Sequence, residues 1–222
     1  STTLSILLGN ENGIFALSNN YPVDAHSITA GDFNEDGKID LAGAGSITSV
    51  ISVLLGNGDG TFNVAGGNFI PGAGGGGITF KSIKSGDFKK DGHQDLVAVG
   101  FRQYSAAILF GDGKGNFSQP KYIIASITGV SKPVSLSGLS AVEAGDFNAD
   151  TNLDLAVLNR DESRVFIFFG NGNGAFSSPV SFEAGVNPRS LSVKDINKDA
   201  HEDIIVGGSG VARPTVLLGD GY

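Results

Sequence analysis

A nine-residue pattern rich in aspartate recurs four times along this chain and constrains its fold more than any other feature. The copies, called loops 1 to 4 below, occupy residues 32–40, 87–95, 146–154 and 195–203. Successive copies begin about 49 to 59 residues apart. That spacing is in the range of a four-stranded propeller blade, so the chain is expected to build one small antiparallel sheet per copy.

A second motif alternates with the loops. It consists of two apolar residues, a glycine, a run of Gly, Asn and Asp, and then an aromatic residue; it spans 7–15, 54–62, 109–117 and 168–176, and begins again at 217–221. Such a motif is typical of a β-hairpin, with glycines supplying the positive φ angles of the turn. In the second full repeat, strands are predicted at 80–86, 95–100, 106–111 and 116–124. Helical periodicity is absent, so the protein is predicted to be all-β.

The repeats predict a single domain over residues 1–222, built from β-propeller-type blades of four antiparallel strands. Loop-bearing repeats are placed near 23–65, 78–124, 138–182 and 187–222, with a partial blade at 1–20. This gives about four to five blades. The third strand of a blade would be present at both ends, one strand too many for simple ring closure. We therefore expect a segment of a larger propeller of the seven-bladed type, or a half that self-assembles through its incomplete terminal blades.

Several positions are predicted to form the core. The second strand of each repeat is nearly all apolar, as expected for a strand covered by sheets on both faces. The residue after the first aspartate of each loop is expected to pack beneath it: Phe33, Phe88, Phe147 and Ile196. The glycine-rich stretch at 66–77 is predicted to be a mobile surface loop, with closure on a ligand as the alternative. Residues 126–140 are interpreted as a second insertion of that kind.

Composition excludes several classes of function. The chain has no cysteine, which rules out disulfides, thiolate zinc sites and a cysteine nucleophile. Its net charge is −8 with no basic patch, so nucleic acid is not expected as a partner. No run of about 18 apolar residues predicts a membrane span. The three aspartates of each loop account for much of the acidity, and four divalent cations would balance the net charge.

The residues that carry the repeat also carry a family resemblance. Gly-Asp-Phe-Asn-x-Asp-Gly-x-x-Asp-Leu-Ala, followed by Val-x-Leu-Leu-Gly-Asn-Gly-Asp-Gly-Thr-Phe, resembles the FG-GAP (VCBS-type) repeats of integrin α-subunit propellers and of many bacterial surface and secreted proteins. The resemblance covers nearly the whole chain. It implies a calcium-binding, extracellular β-propeller, either secreted or on the cell surface. It is less specific for function, because such propellers serve in adhesion, in glycan binding and as accessory domains of enzymes.

The spacing within each loop suits calcium, a hard cation that takes six to eight oxygen ligands. Side chains at positions one, three, five and nine can converge on one ion, and position seven can offer its backbone carbonyl. Magnesium demands a stricter octahedron, and zinc would require His or Cys as ligands. The alternative is a metal-free, solvated turn. The candidate metal residues are Asp32, Asn34, Asp36, Lys38 and Asp40; Asp87, Lys89, Asp91, His93 and Asp95; Asp146, Asn148, Asp150, Asn152 and Asp154; and Asp195, Asn197, Asp199, His201 and Asp203.

The four loops are not expected to bind calcium equally well. Loop 1 has a full set of oxygen ligands. Loop 2 has Lys89 at position three, which offers no oxygen and adds a positive charge, so it is predicted to be the weakest of up to four Ca²⁺ sites. Loops 3 and 4 replace the glycine at position six with Thr151 and Ala200. If that position needs a left-handed backbone, the replacement costs about 1–2 kcal/mol. Calcium is expected to be structural.

No catalytic constellation is present, so the protein is not expected to be an enzyme. The main hypothesis is a calcium-stabilised module for adhesion that binds an extracellular protein or glycan, through loops on the face opposite the calcium loops. The alternative is a non-catalytic accessory propeller of a larger secreted enzyme, such as a polysaccharide lyase or phospholipase. A hydrolase acting through the clustered aspartates is disfavoured, because those carboxylates would already hold calcium.

Overall fold

The computed structural model of the protein describes residues 2–69, 79–101, 106–123, 138–209 and 213–221. These parts of the chain contain seventeen β-strands and no helix, arranged as five antiparallel sheets. Within each sheet, every strand pairs with the next one in sequence. The all-β, blade-like architecture predicted from the repeat is therefore confirmed.

The strands group into one hairpin and four sheets. The N-terminal hairpin contains β1 (Leu4–Gly9) and β2 (Phe15–Tyr21). Sheet 1 contains β3 (Ser27–Gly31), β4 (Asp40–Ala44), β5 (Ile51–Gly56) and β6 (Phe62–Phe69). Sheet 2 contains β7 (Thr79–Gly86), β8 (Asp95–Phe101), β9 (Ala106–Leu109) and β10 (Lys121–Tyr122). Sheet 3 contains β11 (Leu139–Gly145), β12 (Asp154–Asn159), β13 (Arg164–Phe168) and β14 (Val180–Glu183). Sheet 4 contains β15 (Pro188–Lys194), β16 (Asp203–Gly208) and β17 (Thr215–Leu217).

The second strand of each full sheet is buried on both faces, as its sequence predicts. In β8 the four residues from Leu96 to Val99 have no solvent-accessible surface. The strand pairs with β7 on one side and β9 on the other; Val97, for example, lies opposite both Lys84 and Ile108. Because neighbouring sheets cover its two faces, a polar residue on either face would be desolvated, and the sequence is continuously apolar.

The fourth strand is shorter than predicted. The sequence indicates a strand over residues 116–124, but β10 contains only Lys121–Tyr122, and Phe117 makes an isolated bridge with Gly111. An outermost strand has one partner, and Pro120 lacks the amide proton needed for pairing. Residues 66–69, predicted as a loop, belong to β6. The remainder of that stretch, and most of 126–140, lie outside the described residues.

Consecutive sheets pack face to face, and each interface holds one hydrophobic cluster. The cluster between sheets 1 and 2 includes Phe33, Ile83, Leu96, Leu109 and Phe117. Equivalent clusters lie between sheets 2 and 3, between sheets 3 and 4, and between the N-terminal hairpin and sheet 1. The first strands of neighbouring sheets contact each other. The arrangement is that of successive blades around a common axis.

Burial of the residue beneath each loop depends on the next sheet. Phe33 and Phe88 are 2% exposed, as predicted, and Phe147 is half-buried. Ile196 in sheet 4 is 45% exposed, so its assignment to the core is wrong. The inner residues are covered by an aromatic ring from the following sheet, and no described residue plays that part for Ile196.

Candidate metal-binding loops

Each aspartate-rich loop joins the first strand of a sheet to the second, and all four loops have the same backbone conformation. Positions four and six are left-handed in every copy. The φ angles at position four are 59° (Glu35), 55° (Lys90), 58° (Ala149) and 65° (Lys198); those at position six are 79° (Gly37), 89° (Gly92), 69° (Thr151) and 72° (Ala200). The left-handed conformation considered for position six is therefore present even where glycine is replaced, and there it is strained by about 1–2 kcal/mol.

The carboxylates at positions one and five hold this conformation. Asp32 accepts hydrogen bonds from the amides of Asp36 (3.2 Å) and Gly37 (2.8 Å). Asp36 accepts one from the amide of Lys38 at 3.0 Å. Each of the other loops repeats this pattern, with small differences in the amide that is bound. The carboxylates at these two positions therefore point into their own loop.

The aspartate at position nine joins the loop to the rest of its sheet. Asp40 is fully buried and accepts hydrogen bonds from the amide of Phe33 at 2.8 Å and from that of Gly56, at the end of β5, at 2.7 Å. The corresponding residues make the same two bonds at 2.7–3.0 Å: Asp95, Asp154 and Asp203. We call these four residues the anchor aspartates. Their double role, structural as well as candidate ligand, is not apparent from the sequence.

Protonation equilibria differ along the loop. Burial raises the pKa of the Asp95 and Asp154 carboxyls to about 6, against the opposing effect of their amide hydrogen bonds. The pKa of Asp36 is lowered, chiefly by its hydrogen bond with the Lys38 side chain. The pKa of Asp150 is lowered chiefly by the amide of Asn152. Position five is therefore ionised at neutral pH, and a bound cation would favour the ionised form of the buried anchors as well.

Loop 2 contains a cation of its own. The Lys89 ammonium lies 2.6 Å from an oxygen of Asp91 and 5.1 Å from the centre of the Phe110 ring. The hydrogen bond with Asp91 raises the pKa of Lys89, and the same bond lowers the pKa of Asp91. The lysine thus provides positive charge to a loop that has one oxygen ligand fewer than the others.

The first glycine of the hairpin motif allows the hairpin to approach the aspartate-rich loop closely. A Cβ atom on Gly56 would lie 2.1 Å from the carbonyl oxygen of Ile39, in the preceding loop. Equivalent contacts of 2.2–2.4 Å would arise at Gly111, Gly170 and Gly219. The later glycines of the motif, such as Gly58 and Gly60, have positive φ as predicted. Loop and hairpin therefore lie against each other at the same edge of each sheet.

Neighbouring loops also contact one another, which sequence reasoning missed. Glu35 of loop 1 lies 2.5 Å from the Nδ1 atom of His93 in loop 2, and this contact is the main cause that raises the pKa of His93. Lys90 of loop 2 donates to the hydroxyl of Thr151 in loop 3 at 2.8 Å. Loops 1, 2 and 3 are therefore connected in a row along one edge of the stacked sheets. In the sequence, the charged residues at positions four and seven are the signal that could have suggested contacts between loops.

A second feature missed from sequence is Glu202, at position eight of loop 4. Within the described part of the chain, its Oε2 atom is buried and has no hydrogen-bond partner. Its carboxylate lies against Gly145 of sheet 3. In the preceding repeat the same position is Leu153, which lies against Gly86 of sheet 2. Burial raises the pKa of Glu202. A carboxylate here is therefore less favourable than the apolar side chain of the preceding repeat.

The oxygen donors of the loops suit a hard cation such as calcium. An ionised carboxylate offers about four lone-pair sites, and Asp32 and Asp40 each use two of them for amide hydrogen bonds. Among the described residues, no three His, Asp or Glu side chains are grouped closely enough to form a metal cluster. The carboxylates are turned towards amides of the loop. In loops 1, 3 and 4 the candidate donors also include the amide oxygen of the asparagine at position three, and in every loop they include the backbone carbonyl at position seven.

Comparison with known proteins identifies the repeat. The model of the FG-GAP-like repeat matches residues 32–98, 87–157 and 146–206, with one loop at the start of each match. The chain belongs to the FG-GAP-like repeat family. A human relative, integrin alpha-6, is 29% identical over 135 residues, which cover 54% of this chain. The match spans only 12% of the integrin.

A solved structure resembles this FG-GAP chain in fold. BBS1N, in a complex with ARL6DN, has a TM-score of 0.54 at 12% identity, with 89% of this chain and 57% of that chain covered. The V. cholerae biofilm matrix protein Bap1 has a TM-score of 0.46 at 17% identity, with 81% and 23% covered. The chain thus spans less than two thirds of these proteins. The described residues contain no helical segment capable of spanning a lipid bilayer.

Proposed function

We propose that this FG-GAP chain is a calcium-stabilised propeller module of an extracellular or cell-surface protein, where it binds a protein or glycan partner. The observation that carries the proposal is the common geometry of the four loops. All of them share left-handed backbone at positions four and six and an anchored carboxylate at position nine. A backbone this constant in loops of differing sequence supports a shared role.

Calcium would relieve a charge conflict in each loop. Three aspartates lie within nine residues, and among the described residues the cation in direct contact with those of loop 1 is Lys38, 3.1 Å from Asp36. When bound, the ion would supply positive charge at the centre of the loop and hold strands one and two together. The side chains of positions one, three and five are partly or fully exposed to solvent, so an ion can enter without unfolding of the sheet.

Loop 2 is proposed to be the exception. Its ammonium group already contacts Asp91, so a divalent ion would have to displace Lys89. Loops 1, 3 and 4 have asparagine at that position, and its side-chain oxygen accepts a hydrogen bond from the amide of position five. We therefore expect three calcium sites of similar strength and a fourth that is much weaker or absent.

The partner surface is proposed to lie at the opposite edge of the sheets. There the turn between β4 and β5 is held by Asp24, which accepts hydrogen bonds from the amides of Ile47 at 2.7 Å and Thr48 at 2.8 Å. The Ile47 side chain is 75% exposed. A rigid turn that presents an apolar side chain is suited to contact with a partner. The relationship to integrin alpha-6 supports a protein as the partner. A glycan is proposed as the alternative partner.

Calorimetry with chelation tests the calcium proposal. Isothermal titration of metal-free protein should give about three sites per chain, and EGTA should lower the melting temperature. For dissociation constants of about 10⁻⁴–10⁻³ M in about 1 mM calcium, each site adds about 0.4–1.4 kcal/mol. Three sites then raise the melting temperature by about 3–15 °C. Magnesium at the same concentration serves as the control.

Two results would contradict this proposal. If calcium does not change the melting temperature of metal-free protein, calcium has no structural role. A titration in which the loop 2 mutant Asp91→Asn loses the strongest site would reverse the ranking. The recognition role is tested separately with protein and glycan arrays. Ile47→Lys should weaken the binding of any ligand found on them, and the calcium-loop mutant Asp36→Asn should not.

A further inference from the structure

The surroundings of Glu202 are not explained by calcium binding within its own loop. Its side chain extends from loop 4, just before β16, to Gly145 at the end of β11 in sheet 3. Within the described part of the chain, its Oε2 atom is buried without a hydrogen-bond partner. Such an oxygen is costly, because it has lost water without gaining a donor. A polar residue is not required here, since Leu153 takes the same place between sheets 2 and 3.

The carboxylate of Glu202 reaches the start of loop 3. Gly145 directly precedes Asp146, which is position one of that loop. Burial raises the pKa of Glu202; the amide of Asp146 acts against this effect, and the Asp146 carboxylate adds to it. Two acidic side chains from different sheets therefore meet at one interface. Because like charges repel more strongly where water is scarce, this contact opposes the packing of sheet 4 against sheet 3.

Hydrophobic contacts favour the packing of the same two sheets. Leu158 of sheet 3 belongs to one buried cluster with Leu191, Ile204 and Val206 of sheet 4. Glu202 precedes Ile204 by two residues, so the charge contact lies at the edge of this cluster. The interface therefore combines apolar attraction with electrostatic repulsion, and a positive charge in loop 3 would shift the balance towards tight packing.

A fixed cation lies on the other side of loop 3. The Lys90 ammonium of loop 2 donates a hydrogen bond to the hydroxyl of Thr151 at 2.8 Å, and its charge acts on Asp150. A calcium ion in loop 3 would be repelled by this ammonium group and attracted by the carboxylate of Glu202. The two neighbours of loop 3 thus act on a bound ion in opposite directions.

We infer that Glu202 couples calcium binding in loop 3 to the packing of sheet 4 against sheet 3. An ion held by Asp146 replaces the repulsion between Asp146 and Glu202 with attraction. Glu202 is a positioning residue and not a ligand, since its Oε2 atom is enclosed in the interface. The coupling is reciprocal, so tight packing of sheet 4 also strengthens the calcium site of loop 3. The inference rests on the proposed binding of calcium and adds which loop controls which interface.

A double-mutant cycle in the 222-residue protein tests this coupling. The quantity measured is the increase in melting temperature caused by calcium, in the wild type, Glu202→Gln, Asp150→Asn and the double variant. Glu202→Gln should reduce the increase and, in isothermal titration, should weaken one calcium site by about 5-fold or more. Asp150→Asn weakens loop 3 itself, so Glu202→Gln should have little further effect in its presence.

Two parallel cycles locate the effect. With Asp36→Asn in loop 1 or Asp199→Asn in loop 4 in place of Asp150→Asn, Glu202→Gln should keep its full effect. If the effect disappears with Asp199→Asn instead, Glu202 serves its own loop and the inference is wrong. Equal calcium responses with and without Glu202 also overturn it, while the proposed calcium sites stand. A wild type without any calcium response contradicts both the inference and the proposed function.

Glu202→Leu gives a second measurement. This variant copies Leu153 of the preceding repeat, so it should fold. In EGTA it should melt several degrees above the wild type, because the unpaired oxygen and the repulsion by Asp146 are both removed, and calcium should narrow the difference. Glu11→Gln, in the exposed turn of the N-terminal hairpin, is the control for the loss of one negative charge.

Hydrogen exchange shows whether the interface itself responds. Amides of β15 and β16 should exchange faster in EGTA than in calcium in the wild type, and the difference should be much smaller in Glu202→Leu. The same dependence on calcium in both proteins, or a Glu202→Leu protein that melts below the wild type in EGTA, would overturn the inference.

Discussion

Replacement of the anchor aspartate Asp40 by alanine should be among the most destabilising single substitutions in this protein. Asp40 is fully buried, and its two oxygens accept the amides of Phe33 and Gly56. Alanine removes both acceptors. A buried amide without a partner costs about 1–3 kcal/mol, so the expected loss is about 2–6 kcal/mol. Total stabilities of proteins are about 5–15 kcal/mol, so this loss would be a large fraction of the whole.

Asparagine at the same position should be intermediate. The Asp40→Asn side chain has the same shape, and its single carbonyl oxygen can accept one of the two amides. Its NH₂ group then faces the other amide, donor against donor. One lost bond predicts a loss of about 1–3 kcal/mol. The order of stability should therefore be aspartate, asparagine, alanine.

The measurement needs EGTA, because Asp40 is also a candidate calcium ligand. Urea unfolding followed by far-ultraviolet circular dichroism gives the global stability, and hydrogen exchange at the amides of Phe33 and Gly56 gives the local one. Asp36→Asn is the matched control: it removes a charge from the same loop without touching either anchored amide. It should weaken calcium binding and change stability in EGTA much less than Asp40→Ala does.

A small effect of Asp40→Ala would contradict the anchoring role of Asp40. If Asp40→Ala lies within about 0.5 kcal/mol of the wild type in EGTA, the two amides have other partners or water reaches them. If it destabilises only when calcium is present, its role is that of a ligand alone.

Three further predictions rest on matched positions in the repeat. Phe117 is 8% exposed, so Phe117→Ala should lower the free energy of unfolding by about 3–5 kcal/mol. Phe15 has the same motif position but is 67% exposed, so Phe15→Ala should lower it little. Urea unfolding of the two variants measures the difference. Lys89→Asn gives loop 2 the asparagine of the other loops and should add a calcium site in calorimetry; an unchanged site number would contradict this. Ala200→Gly should relieve left-handed strain and stabilise metal-free protein by up to about 1 kcal/mol; a lower melting temperature would contradict it.

Much of the fold could be predicted because the information is local and repeated. The continuous apolar run from Leu96 to Val99 identifies a strand covered on both faces, and β8 is that strand. Glycines in the hairpin motif predict tight turns, and Gly58 and Gly60 have positive φ. Such features depend on a residue's own backbone and its nearest neighbours in sequence, so four near-copies reinforce one interpretation.

Predictions that depended on a distant neighbour succeeded less often. Phe33 and Ile196 occupy the same position in their loops, yet the first is 2% exposed and the second 45%. The difference arises because Phe117 covers Phe33 from the next sheet. The contact between Glu35 and His93 was missed for the same reason, since the two residues are 58 positions apart. Repeat position alone does not say which sheet lies beside which.

The repeat unit can be deduced from the amino-acid sequence: it is all-β, with an aspartate loop between strands one and two and a glycine hairpin between strands three and four. Spacing along one short segment is enough for this, because the loop and hairpin geometries are set by local φ angles and local hydrogen bonds. How the units pack against each other depends on contacts between residues far apart in the chain. The recurring aspartate loop proved to be a structural element in its own right, with Asp40 and its counterparts joining loop to hairpin. The place of each aromatic ring follows from packing between sheets, and this packing depends on contacts that no single segment of the sequence contains.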